Sequence, residues 1–306
     1  MALATLTAGR RARRPAWRRR DAQIGYLFVA PQVLGVLALV VVPLATVVWY
    51  SLHDWNVLTS TFIFDGAANY QRMLTDGGLH GSLAASGWFS LGLVTLNISL
   101  AMVLALLLNQ RLRGTTAFRV MFFSPVVVSL VAWTIVWGFL LQADGGINGF
   151  LALLGIEGPN WLRNGATAMI SVIIVQLFKN VGLNMILFLA ALQAVPVQIQ
   201  EAARLDGANA WRRFWSIVVP LISPTILLVS IITVVGSLEV FAQIDVLTQG
   251  GPGHSTTVLV YYLYQQAFQF NEFGYASAVS VLLFVIVLVL TLIQWQTRKR
   301  WVFHES

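Results

Sequence analysis

Glu201-Ala202-Ala203-Arg204-Leu205-Asp206-Gly207 lies between two long apolar stretches, and thirteen residues beyond its glycine comes Pro220, in the run Ile217-Val218-Val219-Pro220. Charges are scarce on either side of it. A segment that carries Glu201, Arg204, Asp206, Arg212 and Arg213 in so apolar a chain is expected in water and against a partner, not in hydrocarbon. The apolar runs it separates then read as membrane-crossing helices, and the segment as the loop joining two of them.

Composition agrees. Of 306 residues, 58% are hydrophobic and 10% charged, against roughly a quarter charged in soluble domains. Apolar stretches run at about 24–51, 84–109, 117–142, 167–194, 220–246 and 273–296, each long enough for a helix of about 20 residues to cross a bilayer. The expectation is an all-α integral membrane protein with six transmembrane helices. Segments 52–83, 143–166 and 247–272 hold clusters such as Asp144-Gly145-Gly146 and Gly250-Gly251-Pro252-Gly253 and read as long loops. Three parts follow: a basic N-terminal tail (1–23), one transmembrane domain (24–296) that includes the loop 195–219, and a C-terminal tail (297–306).

Lys and Arg collect on the cytoplasmic side because they resist translocation. Sixteen of the nineteen basic residues fall in the N-terminal tail, around Arg111, Arg113 and Arg119, in the polar segment, or at Arg298, Lys299 and Arg300. Both termini and the polar segment are therefore expected on the cytoplasmic side of the membrane. The tail, with seven basic residues between Arg10 and Arg20, reads as a topology signal touching anionic lipid headgroups, and no nucleic-acid partner is expected. The first apolar run is longer than a signal peptide's and no clear cleavage site follows, so it is expected in the mature protein. Asp54, Asp65, Asp76, Asp144, Glu157 and Glu272 fall in or beside the opposite loops.

Several chemistries are missing. There is no cysteine, so thiol nucleophiles and zinc–cysteine sites are excluded. Neither lysine, Lys179 or Lys299, follows a glycine-rich phosphate loop, so any ATPase is expected on a separate chain. His53, His80, His254 and His304 are scattered singly, without metal-ligand spacing, and are expected in solvent. No catalytic constellation stands out, and no catalytic, metal or cofactor site is expected on this chain.

Val197 to Phe214 can form one or two short helices, with Pro196 at a permissive start and Gly207 at a stop or tight turn. Ala202, Ala203 and Ala208 allow close approach, while Glu201 and Asp206 supply charge for a basic partner. An ordinary amphipathic loop anchored by Trp211, Phe214 and Trp215 would have no need of this order of residues. The pattern E-A-A, three residues, G, nine residues, I-x-L-P resembles the coupling loop of membrane subunits of binding-protein-dependent ABC importers, with Val219 in place of the leucine. Tyr26-Leu27-Phe28-Val29-Ala30-Pro31, Ala190-Ala191-Leu192-Gln193-Ala194-Val195-Pro196, Leu247-Thr248-Gln249-Gly250-Gly251-Pro252 and Tyr275-Ala276-Ser277-Ala278 extend the resemblance to the carbohydrate-type permeases, including those of maltose and glycerol-3-phosphate uptake. It implies a type I importer permease fold in a prokaryotic plasma (inner) membrane, a second permease, two ATPase subunits that bind ATP and magnesium, an external substrate-binding protein, and lipid around the whole. Glu201, Ala202, Ala203, Asp206 and Gly207 would form the ATPase-coupling surface.

Polar groups inside hydrocarbon nominate the pathway. Gln176, Lys179, Asn180 and Asn184 share one face of the fourth span; Thr233, Ser237, Glu239 and Gln243 lie on the fifth. Hydrogen bonding between helices is the plainer use of such residues. Lys179 either pairs with Glu239 or faces the pathway. Counted from Gly207, the positions of Gln176, Lys179, Asn180, Thr233 and Ser237 resemble sugar-contacting positions of maltose permeases. Trp133 and Trp137, one turn apart, could stack on a sugar ring or simply pack. The leading expectation is a non-catalytic subunit forming half of a pathway for a di- or oligosaccharide. Glycerol-3-phosphate or a glycerophosphodiester, with Lys179 meeting phosphate, is the alternative. An autonomous ion-coupled transporter, with Glu239 and Asp245 as relay groups, leaves the polar segment unexplained.

Overall fold

The computed structural model describes the backbone of residues 16–110 and 113–301 and the side chains of 25–110 and 113–297. The side chains of the basic tail 1–23, Arg111 and those of the C-terminal basic cluster lie outside the described residues. Two units separate at Trp49 and Tyr50. In the first, α1 (Ala16–Val36) runs through a π-helical turn, Leu37–Val41, into α2 (Val42–Ser51). Its apolar part, Gly25–Ser51, has 27 residues, about 40 Å at a rise of about 1.5 Å each, enough to cross a bilayer.

The second unit opens with an antiparallel hairpin, β1 (His53–Asn56) and β2 (Thr61–Phe64), with His53 opposite Phe64. Then follow α3 (Ala68–Thr75), α4 (Gly77–Leu108), α5 (Thr115–Val127), α6 (Leu130–Leu140), α7 (Gly146–Leu153) and α8 (Gly165–Ala194). The chain continues as α9 (Val197–Leu205), α10 (Ala210–Arg213), a π-helical turn Phe214–Val218, α11 (Val219–Leu221), α12 (Ser223–Leu238), α13 (Ala242–Leu247), α14 (Leu259–Tyr264) and α15 (Phe273–Trp301).

Helices α4 and α8 form the centre. Phe89 and Leu93 of α4 meet Val172, Val175, Val181, Met185 and Phe188 of α8, with Val229 of α12 in the same buried cluster. Lipid tails are as apolar as these side chains, so close packing and small residues must hold the bundle; Ala101 and Ala105 on α4 are fully buried. A β-carbon at Gly182 of α8 would run into the Phe122 carbonyl of α5. Gly92 meets Ile173 and Asn97 meets Asn184, so α4 and α8 run in the same direction.

Among the described residues four helices are long and apolar enough to cross a membrane, or six spans if each bent pair counts as one. The expected third span is not one helix: α5 and α6 meet at an angle of 105°, across Val128 and Ser129. The stretch expected as the fifth span is likewise interrupted: α12 ends at Leu238, Glu239–Phe241 are non-helical, and α13 follows. The second span begins at Gly77, earlier than its apolar run, because Asp76 caps it. His53 corrects another expectation. It is buried, its ring stacked 4.5 Å from that of Phe62.

The start of α4 is tied to α14 and α15 through one carboxylate. Asp76 accepts the amides of Gly78 (2.9 Å) and Leu79 (3.2 Å), the Tyr262 hydroxyl (2.5 Å) and the Tyr275 hydroxyl. Beside it Arg72 pairs with Glu272 at 2.6 Å and lies 4.0 Å above the Tyr275 ring. Burial alone would raise the Asp76 pKa, but the four hydrogen bonds together outweigh it and hold the carboxyl below its ordinary value. The same burial and the same carboxylate push the Tyr262 hydroxyl upward.

Candidate functional site

Helix α9 starts directly after Pro196 and ends in a Schellman motif. The Gly207 amide donates to the Arg204 carbonyl (3.1 Å) and the Ala208 amide to the Ala203 carbonyl (3.0 Å), with Gly207 at φ 77°, a region glycine reaches without a β-carbon penalty. Asn209 then caps α10 by accepting the Arg212 amide at 2.8 Å, and Arg213 donates to the Ala208 carbonyl at 3.0 Å. Glu201, Ala202, Arg204, Asp206 and Gly207 are exposed, and so is Leu205, at 90%. Ala203 is buried and serves the packing beneath. The exposed surface is thus a mixed one, acidic at Glu201 and Asp206 and apolar at Leu205.

From this surface the chain passes through the π-helical turn and α11, then bends by 71° into α12. Ser223 Oγ donates to the Pro220 carbonyl at the bend (2.7 Å). Proline at 220 and 224 cannot supply backbone donors there. An apolar cavity of about 580 Å³ adjoins the joint, lined by Ile98 and Met102 of α4 and by Phe214, Trp215, Pro220 and Ile226.

Five of the seven expected pathway residues come together. Gln176, Lys179, Asn180, Glu239 and Gln243 line a cavity of about 520 Å³, with Leu130, Gly236, Val240, Phe241 and Ala242. It lies where both interrupted spans are broken, against one face of the uninterrupted α8. Gln243 donates to Gln176 across it. Lys179 does not pair with Glu239: its ammonium donates to the carbonyls of Pro125 (2.5 Å), Val126 (3.4 Å) and Val128 (2.5 Å). The side chains of Asn180 and Glu239 carry no hydrogen bond or ion pair to the described residues.

Thr233 and Ser237 do not line that cavity. Thr233 receives a bond from Asn184 (3.2 Å), which also donates to Asn97 (2.5 Å), and Ser237 donates to Ser90 (2.8 Å). Four residues apart, they share the face of α12 that packs on α8 and α4. Asn97 and Ser90 were missed by sequence reasoning, although a fully buried asparagine in so apolar a run is itself a signal. Trp133 is also committed, its indole N–H donating to the Val175 carbonyl at 3.0 Å, while Trp137 packs 5.7 Å from Phe178; neither lines the cavity.

A third, more polar depression of about 950 Å³ lies beside α6 and α13, bounded by Gln142, Asp144, Asn160, Arg163, Thr248 and Gln249 among others. Among the described residues no three His, Asp or Glu side chains gather as a metal site would need.

Residues 97–301 match the family described as "Binding-protein-dependent transport system inner membrane component". The chain belongs to this family. The multiple sugar-binding transport system permease protein MsmF of Streptococcus mutans is 33% identical over 90% of this chain and 95% of its own length. The sn-glycerol-3-phosphate transport system permease protein UgpA of Yersinia pestis is 31% identical over 92% of this chain and 95% of its own. In fold, the chain is similar to one from the crystal structure of a bacterial alginate ABC transporter in complex with an alginate pentasaccharide-bound periplasmic protein. The TM-score is 0.81 at 20% identity, covering 93% of this chain and 97% of that one. The permease is thus a helical, multi-pass inner-membrane component with the type I importer fold, and its family is one of non-catalytic transport subunits.

Proposed function

We propose that this permease forms half of the translocation pathway of an ATP-driven importer for a sugar of the di- or oligosaccharide class. An external binding protein delivers the sugar, a second permease completes the pathway, and two ATPase subunits supply the bound ATP and magnesium. The observation that carries the reading is mechanical continuity. Helix α9 presents an exposed acidic and apolar surface, and its chain continues through the Gly207 turn, α10 and the 71° bend into α12, whose end walls the cavity. Glu201, Ala202, Asp206 and Gly207 form the ATPase-coupling surface, with Ala203 packed beneath it. Gln176, Lys179, Asn180, Glu239 and Gln243 border the route, Thr233 holds α12 to α8 and Ser237 holds it to α4. Six spans with both termini cytoplasmic, divided as tail 1–23, membrane domain 24–296 and tail 297–306, follow from the charge bias. Exposed side chains such as Trp88, Leu91 and Val103 face lipid or the second permease.

A sugar is favoured over glycerol-3-phosphate by the state of Lys179. All three ammonium protons face backbone carbonyls, which leaves an amide, Asn180, and a carboxylate, Glu239, as the unpartnered polar side chains at the cavity. Both suit hydroxyl groups, and the Glu239 carboxylate repels a phosphate.

Gentle extraction of the C-terminally tagged chain from native membranes tests the whole reading. A second permease and a P-loop ATPase in stoichiometric yield, with ATP-dependent sugar uptake after reconstitution, are expected. Recovery of the chain alone, moving solute in vesicles without ATP, would overturn it.

A further inference from the structure

Why a lysine sits in the middle of a membrane-crossing helix is answered by what it touches. Helix α5 ends in Pro125, Val126 and Val127, and the chain then runs extended through Val128 and Ser129 before α6 begins. Two defects result. Pro125 has no N–H for the Met121 carbonyl, and Ser124 Oγ supplies that bond instead, at 3.0 Å. Of the last carbonyls of α5, that of Pro125 takes the Val128 amide at 3.3 Å; beyond it the extended chain supplies no further helical turn, and a backbone carbonyl in a membrane-crossing segment must find its partner within the protein. Lys179 reaches from α8 and donates to three carbonyls at the break, placing its charge at the negative end of the α5 dipole.

The surrounding packing makes this a fixed point. One turn further along α8, Gly182 admits the Phe122 carbonyl so closely that no β-carbon would fit. One turn before it, the Val175 carbonyl accepts the Trp133 indole of α6. Helix α6 is therefore held to α8 at two places, the break and Trp133. Its first residue, Leu130, is part of the cavity wall, and α6 packs along α13, whose start forms more of that wall.

We infer that Lys179 is a positioning residue, not a substrate contact: its ammonium pins the α5–α6 break to α8 and thereby sets the angle of α6, one wall of the transport cavity. This rests on the reading that the cavity lies on the sugar's route. The pin must hold while the route opens and closes, so its loss affects turnover more than sugar affinity.

The test uses the complete importer, both permeases, ATPase subunits and binding protein, in lipid vesicles. For Lys179→Met, which keeps length and removes the donors, the maximal uptake rate is expected to fall at least tenfold while KM for the sugar stays within twofold. Lys179→Arg, which restores donors, recovers part of the rate. A spectroscopic reading runs in parallel. The chain has no cysteine, so nitroxide labels at Phe118→Cys on α5 and Phe139→Cys on α6, both exposed positions, report the bend. One narrow distance is expected while Lys179 is present, and a broad distribution in the Lys179→Met variant. If Lys179→Met does not assemble, Lys179→Gln, with two donors and no charge, is expected to give an intermediate distribution. A raised KM at full maximal rate would overturn the inference in favour of a substrate contact. So would unchanged label distances in both variants. Absence of ATP-driven sugar uptake by the unmodified assembly would instead sink the importer reading, and the label distances would still decide whether Lys179 holds the break.

Discussion

Space around the missing β-carbon of Gly207 is open, so the backbone alone restricts that position. Gly207→Asp places a side chain at φ 77°, a strain of about 1–2 kcal/mol, and adds a charge to the coupling surface. We expect sugar uptake to fall while ATP hydrolysis persists; an unchanged ratio of sugar moved to ATP consumed would refute the assignment. Asp76 makes a second residue-level prediction. Its folded carboxyl titrates below the unfolded value, so its contribution is fully present above about pH 4. That contribution is lost as the pH falls further, through the folded pKa. Asp76→Asn, which weakens a charged acceptor serving two hydroxyls and two amides, should cost about 1–3 kcal/mol at neutral pH. In thermal unfolding of the reconstituted importer, the variant and the parent should differ at pH 7 and converge in acid; a constant gap would count against the carboxylate as the tie.

At the scale of elements, the contact between α5 and α8 is backbone against glycine. Gly182→Ala forces the two apart, at a cost of about 1–3 kcal/mol, and should lower the unfolding temperature of the assembled complex. An unshifted transition would mean that α5 yields freely. The sequence showed much of this level: six apolar runs, the start of α9 at Pro196, and its end at Asp206-Gly207 are all legible because length, proline and glycine are local signals. The breaks after Val127 and Leu238 were not. A helix that is apolar on every side has no periodicity for a bend to interrupt. Lys179 was legible as a charge in the wrong solvent, but its partners were hidden, because carbonyls carry no residue identity and these lie about fifty positions earlier in the chain. Thr233 and Ser237 were read onto the pathway by position, whereas the polar side chains they meet, Asn184 and Ser90, belong to the packing between helices.

For the whole molecule, orientation is the property that charge bias predicts and labelling can check. In a chain without cysteine, Leu205→Cys on α9 and Phe64→Cys on the hairpin are both exposed sites. With the permease expressed without its ATPase, a membrane-impermeant maleimide should modify the first only in inverted vesicles and the second only in right-side-out ones. Labelling of both from one side would break the six-span arrangement.

Helix α8 is unbroken over 30 residues, about 45 Å long at a rise of about 1.5 Å per residue. Its attachments to the α5–α6 break, Lys179 and Gly182, fall close to the midpoint. With α4 packed along it, it moves relative to that break as a stiff see-saw. Only Val195 and Pro196 separate its far end from α9, so a push of about 3 Å there tilts the rod by roughly 8° about that fulcrum and returns nearly the same displacement, reversed, at Gly165, with no bending of the helix required.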